Sequence, residues 1–522
     1  MTLSAETAHS RSWLAPDILC AGAYALVHTL LVFSWPAVPS QDAPLWVYEA
    51  ELLLRAARGL AADGCKLVSA LPPNALAQGV IAVLLVGLSP EMATRVYLAA
   101  CVWALAAALV YLCRARDPSA RSPQLLLALP LCAGYPFYHG FLNYLAALPV
   151  LAFGAGVLLR HPEGRGARGL LWLALLPTLT YLCHGTALGV WGLLVLVQLA
   201  VRRSRTFALR AGLGFVPVLG LALAYIAQRS SEGAAVTWTA GSAAATALYR
   251  LRSPLRFFSV FQGFTPTLDD ADLALVAPLL VSVNLLYALG LTLGCVVWAV
   301  SARRSGDLGE RFLALSVLAL ALAFVLMPHD VAQMLNPAER LLIPLACCGV
   351  AGLCRPSADA LAVDCRRELR NRRLLLALLG AQCLYTALYG TRAAQAAREV
   401  AQARVRFGAR SVQAQDIRGV SLSKPSGWAA LLTRHQVLAM QGLSAAAHGG
   451  QAITPFATGL FRCQLQRALP HDLQGLMQSE QSLILLGESA QLQRLASLLA
   501  PAYRAVQTGS GYVVVQPAAA KR

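Results

Sequence analysis

Apolar residues run in blocks along this chain, with the polar residues gathered between the blocks. Leu170–Ala200 and Leu273–Val300 contain no Asp, Glu, Lys or Arg. A helix apolar on every side belongs in a core or a bilayer, and about 20 such residues cross roughly 30 Å of hydrocarbon. Eleven blocks read as spans: 18–35, 96–113, 123–137, 142–159, 170–183, 185–201, 211–227, 273–300, 312–327, 341–354 and 374–390. The stretch Asn74–Leu88 is only 15 residues long and follows Pro72-Pro73, so it is predicted to be re-entrant or interfacial. Trp46–Leu60 sets Val47, Leu53, Leu54 and Leu60 against Glu49, Glu51, Arg55 and Arg58. That pattern predicts a helix lying in the membrane interface.

Composition agrees with the pattern. Hydrophobic residues make up 57% of the 522 and charged residues 13%, which excludes an ordinary soluble enzyme. The net charge of +18 would point to nucleic acid in a soluble chain. Here the basic residues sit in short loops between spans, where the positive-inside rule accounts for them, and no nucleic-acid partner is expected. With Asn74–Leu88 not crossing, 19 of the loop Lys and Arg fall on one side and nine on the other. The rule then places the N-terminus in the cytoplasm and the chain after span eleven outside. The Arg, Ala, Leu and Gly bias suggests a GC-rich bacterial genome, hence an inner-membrane protein with a periplasmic C-terminal domain.

Thirteen cysteines without a CxxC or Cys/His metal spacing indicate neither a disulfide framework nor a zinc site. Cys65 and Cys463 are the two external thiols of this topology. An oxidising periplasm would allow them to pair, but nothing in the sequence places them within bonding distance. Beyond the last span, an Ala/Arg/Gln helix (Arg392–Ala409) leads to β-prone runs Ser482–Leu486 and Tyr512–Gln516 around a helix at Ala490–Leu499. The expected fold is therefore an α-helical multi-pass membrane domain over 1–390, with interfacial helices in the first external loop, 36–95. A small α/β external domain over 391–522 completes it.

The same topology collects polar residues at the outer face, where ionisable groups at membrane depth are costly and usually functional. Asp42 opens the first external loop; Tyr138, His139 and Asn143 fill the turn between spans three and four; His184 sits between spans five and six. His329, Asp330, Glu339 and Arg340 precede span ten. Each has a plainer reading: Asp42 as a helix cap, His139 and His184 as interfacial anchors, Glu339 and Arg340 as a salt bridge. Together they suit chemistry at the headgroup level, with a carboxylate as general base and an Arg fork on a phosphate leaving group.

The order of a first span, Asp42 and Tyr48 in the first external loop, interfacial helices, Pro72-Pro73-Asn74 and a short apolar hairpin resembles the GT-C class of membrane glycosyltransferases. That class includes the aminoarabinose and protein O-mannosyl transferases. The turns Tyr138–Tyr144 and Tyr181–Gly185 look like those of bacterial members, and Asn336–Arg340 resembles the late external loop that often supplies an Arg for the lipid phosphate. The resemblance implies a polyprenyl-phosphate-linked sugar as donor, entering from the lipid bilayer, and a glycan, lipid or protein acceptor outside. It implies Asp42 as base with His139 and His184 beside it. Arg340, Glu339, Asn143, Tyr138, Asp330 and His329 would line the donor and substrate pocket. No cofactor is fixed by these residues. A divalent metal stays open, since Asp42 is followed by Ala43 where many members pair two acids, and His139 and Asn143 stand where a second acid is usual. The alternative from another class is a transporter or envelope-assembly scaffold using the same external groove without covalent chemistry. Internal repeats, which many transporters carry, are not apparent.

Overall fold

The computed structural model describes residues 16–36, 38, 43–60, 65–67, 71–117, 124–164, 166–229, 236–237, 242–261, 277–331, 334–335, 337–354, 365–407, 410–413, 461–463, 483–486, 489–500, 502–509 and 512–518. Helix α1 (Pro16–Ser34) is followed by two short helices, α2 (Ala43–Ala57) and α3 (Leu76–Leu84), with strand β1 (Cys65–Leu67) between them. Then come α4 (Pro90–Arg116), α5 (Gln124–Ala128), α6 (Tyr135–His139), α7 (Leu142–Arg160), α8 (Gly166–Cys183), α9 (Gly185–Arg202) and α10 (Arg205–Arg229). After β2 (Val236–Thr237) follow α11 (Ala243–Phe257), α12 (Ala277–Ala302), α13 (Leu308–Leu326) and the strands β3 (Asp330–Val331) and β4 (Met334–Leu335). A 3₁₀ turn at Pro337–Leu341 leads into α14 (Leu342–Leu353), and α15 (Cys365–Phe407) ends the helical part.

Seven of the described helices, α4, α7 to α10, α12 and α13, are long and apolar enough to cross a membrane, and Ile18–Ser34 in α1 is a shorter apolar helix. Leu213, Leu223, Leu286, Val297 and Val325 project outward with about two-thirds of their surface free, a rim that lipid accommodates and water does not. The protein is a multi-pass helical membrane protein. Helix α3 has nine residues, about 14 Å of rise, too short to cross. The expected span 123–137 is broken into α5, a 3₁₀ turn at Leu129–Ala133 and α6. Pro130 and Pro136 each begin a new piece because proline cannot donate to the preceding turn. The expected span 341–354 is the 12-residue α14, buried along nearly its whole length; 374–390 falls inside the 43 residues of α15.

Side-chain bonds define the two ends of the bundle. At one end Arg116, closing α4, reaches the Asp307 cap of α13 at 2.5 Å, and Arg160, closing α7, lies over Tyr111. Burial raises the Asp307 pKa, but Arg116 and the N–H groups of Glu310 and Gly309 outweigh it and hold the carboxyl below its usual range. At the other end Arg95 of α4 donates to the carbonyl of Trp35 after α1. The ends of α1, α8 and α13 and the starts of α4, α7, α9 and α14 all lie here, together with α2, α3 and α11. Helix α15 passes from the first end to this one, where Thr386 accepts from Tyr138 and Gly390 lies against Trp35. Its last 17 residues carry the chain about 25 Å further.

Beyond α15, β5 (Arg410–Gln413), β6 (Phe461–Cys463), β7 (Leu483–Leu486), α16 (Ser489–Leu499), β8 (Tyr503–Gly509) and β9 (Tyr512–Pro517) follow. β5, β7, β9 and β8 form one sheet in that order, β5 parallel to β7 and the others antiparallel. Leu483, Leu485, Val513 and Val515 on its inner face pack against Leu492, Leu495 and Leu499 of α16. The two-residue alternation of the strands thus meets one stripe of the helix.

Candidate active site at one end of the bundle

Three polar clusters share the end of the bundle where α7, α9 and α14 begin. The first starts from Asn143 in the opening turn of α7. Its Oδ1 accepts from the main-chain N–H of Ala77 at 2.8 Å, and its Nδ2 donates to Gln78 Oε1 at 3.0 Å. Gln78 Nε2 then donates to Glu49 Oε2 at 3.0 Å. All three side chains are buried, so the chain binds α2, α3 and α7 through groups that would be costly to leave unpaired. Pro72-Pro73-Asn74 adds a latch: Asn74 adopts φ +70, accepts from Gly185 N–H at 3.2 Å, and passes the chain to Ala75, whose N–H meets Leu182 O. Asn is among the few residues that take this left-handed backbone at low cost.

The second cluster joins His184, Tyr144 and Arg340. His184 is the buried N-cap of α9, with Nδ1 accepting from Thr186 N–H at 3.2 Å. Burial, and after it the Arg340 charge, drives its pKa well below the ordinary 6.5. The ring is therefore neutral at pH 7 with its proton on Nε2. Tyr144 meets the imidazole edge-on at 5.7 Å and donates to the Arg340 carbonyl at 2.8 Å. The half-buried Arg340 guanidinium lies 5.3 Å from the centre of the Phe141 ring.

The third cluster surrounds Glu339. This buried carboxylate accepts from Ser253 Oγ at 2.9 Å and forms its salt bridge with Arg256 of α11. Arg256 also donates to Tyr249 Oη at 2.5 Å and stacks on Tyr135, which in turn stacks with the His139 ring at 3.6 Å. Burial and the Glu339 carboxylate hold the Tyr249 phenol protonated, well above its usual range. His329 meets Tyr249 edge-on at 5.3 Å. Among the described residues of this cluster, Arg250 and Arg256 both feel the charge of the Glu339 carboxylate, so positive charge is in excess around it.

No protein-family model matches the chain, and no curated protein matches it. Among solved structures, the chain is similar to the crystal structure of ArnT from Cupriavidus metallidurans in the apo state, over 95% of this chain and 97% of that one, at a TM-score of 0.48 and 12% identity.

The sequence-derived residues thus separate. His139, Asn143, His184, His329, Glu339 and Arg340 lie at one end of the bundle, in or against the three clusters. Tyr138 is buried between Trp35 and Thr386 and serves packing between α6 and α15. Asp42 and Asn336 lie outside the described residues, and of Asp330 only the strand position opposite Thr237 and Leu335 is described. Pattern reading assigns no role to Glu49 beyond the polar face of an interfacial helix, and none to Gln78, Tyr144, Tyr249 or Arg256. Gln78 alone had a signal: one amide in an otherwise apolar nine-residue helix. Among the described residues no three His, Cys, Asp or Glu side chains come together as a metal site.

Beneath the first two clusters an open groove of about 730 Å³ runs between α3, α4 and α7. Leu76, Val80, Tyr97, Tyr111, Pro149 and Phe153 contribute to its walls. From Tyr97 to Tyr111 it follows α4 for about 21 Å. Leu76 at its upper end adjoins the Ala77 N–H held by Asn143, and Tyr97 Oη donates to Leu142 O there at 3.2 Å.

Proposed function

We propose that this protein is a bacterial inner-membrane glycosyltransferase that moves a sugar from a polyprenyl-phosphate donor to an acceptor on the periplasmic side. The observation that carries the reading is continuity between an apolar groove at membrane depth and a positively charged, partly buried end. A polyprenyl chain matches the apolar walls of the groove; its phosphate has the charge that Arg340 and its neighbours complement.

In this reading the acceptor hydroxyl loses its proton to the Asp42 carboxylate as its oxygen bonds to the anomeric carbon. The bond from that carbon to the phosphate oxygen breaks on the opposite side, and polyprenyl phosphate leaves with the electron pair, giving inversion. Arg340 meets the charge that develops on the leaving phosphate, and the neutral His184 can add its Nε2–H. Glu339, already neutralised by Arg256, orders the turn that carries Arg340. Glu49 fixes α2, the helix that begins directly after Asp42, through Gln78 and Asn143.

The test is turnover of a radiolabelled polyprenyl-phosphate sugar by the purified protein, read as release of polyprenyl phosphate with a suitable acceptor present. Asp42→Asn should lower turnover by roughly 10²–10⁴-fold, the usual contribution of a general base. Wild-type turnover in that variant removes the mechanism. Solute or lipid flux in proteoliposomes without bond cleavage would instead favour a transporter.

A further inference from the structure

β1 lies between α2 and α3, and β6 lies beyond α15. The two strands form an antiparallel ladder in which Cys65 is paired with Cys463, Lys66 with Arg462 and Leu67 with Phe461. A two-stranded ribbon this short has little stability of its own. Its central pair sets two cations opposite each other, which works against pairing. Something besides the ladder must keep the strands in register.

The cysteines supply a candidate. Ten of the thirteen lie buried or half-buried within or at the ends of the bundle helices, and Cys365 begins α15, which starts at the end marked by Arg116 and Asp307. Cys65 and Cys463 belong to the chain segments at the opposite end and stand directly across the ladder from each other. Directly opposed antiparallel positions share one face of the ribbon, with Cα atoms about 4.5–5.5 Å apart. Disulfides span Cα separations of about 4.4–6.8 Å.

We propose that Cys65 and Cys463 form a disulfide that ties the first external loop to the C-terminal chain. The proposal rests on the reading that this end of the bundle faces an oxidising compartment. One thiolate attacks the disulfide of a dithiol oxidant; the second displaces that oxidant from the mixed disulfide. Two protons are lost and the two electrons leave on the reduced donor. The bond would fasten the chain between the helix that carries Glu49 and the Pro72-Pro73-Asn74 latch on the His184 turn.

Full-length protein in native membranes, alkylated with N-ethylmaleimide before denaturation and digested without reductant, is the sample for the test. Mass spectrometry should find a linked peptide pair containing residues 65 and 463, lost on reduction and absent from Cys65→Ser. Alkylation of both residues without reductant overturns the proposal. A membrane-impermeant maleimide added to spheroplasts without reductant separates two kinds of failure. Free thiols that react with it leave the sidedness of the proposed function standing and remove only the disulfide. Thiols that react only after permeabilisation place this end in the cytoplasm, which removes the disulfide and the periplasmic acceptor together.

Discussion

Tyr144 donates its hydroxyl to the main-chain carbonyl of Arg340 at 2.8 Å, so the first turn of α7 sets the height of the residue assigned to the donor phosphate. Asn143, one position earlier, holds α3 by its main chain. Two adjacent side chains thus fix both the groove wall and the charge above it.

Tyr144→Phe should leave the fold intact and loosen Arg340. A hydrogen bond of this kind contributes about 1 kcal/mol net, so the KM for the lipid donor should rise about fivefold, with kcat changed less. Steady-state kinetics with varied donor concentration checks the split.

Arg256→Gln leaves the buried Glu339 carboxylate without its cation. Breaking a fully buried pair costs about 3–5 kcal/mol; the loss here should be smaller, because the Arg256 side chain keeps 39% of its surface. The double variant Arg256→Gln/Glu339→Gln should recover part of it, since no charge is then stranded. Thermal unfolding in detergent measures both, and a double variant less stable than Arg256→Gln contradicts the pairing.

The depressed pKa of His184 has a pH signature. In the unfolded chain the imidazole takes up a proton below about 6.5, whereas burial and Arg340 keep the folded ring neutral far lower. The unfolded state therefore binds more protons in that window, and stability falls as pH drops below 6.5. Above 6.5 the contribution is flat. His184→Asn, which retains a capping oxygen, should show a shallower acid limb in a plot of Tm against pH from 8 to 5. An unchanged limb assigns the effect elsewhere.

The helix order was readable because blocks of apolar residues and the prolines between them act locally. Pro72-Pro73 announces the short α3, and Gly140, at φ +70 in a left-handed cap, ends α6. What eluded the pattern depended on distant partners. Glu49 reads as the wet side of an amphipathic helix until α3 brings Gln78 over it, and Arg256 reads as one of several loop cations until the turn at Glu339 meets it. The break in 123–137 follows from Pro130 and Pro136, whose effect the count of apolar residues outweighed. Cys65 and Cys463 could be named as external thiols, but their ladder joins segments at opposite ends of the chain.

The proposed sidedness rests on charge. Arg114, Arg116, Arg202 and Arg203 lie at or beside the ends of α4 and α9 away from the polar clusters, and the positive-inside rule assigns such ends to the cytoplasm. Alkaline phosphatase fused after Gln516 should be active in the periplasm, and green fluorescent protein exported there through the general secretory route should be dark. The reverse pattern places the polar clusters in the cytoplasm.

The most direct measurement is an experimental structure of the protein with polyprenyl phosphate bound. The prenyl chain should lie in the groove between α3, α4 and α7, with a phosphate oxygen within hydrogen-bonding distance of the Arg340 guanidinium and the His184 Nε2. A lipid phosphate seated elsewhere on the bundle, with Arg340 turned away from it, would contradict the proposed function.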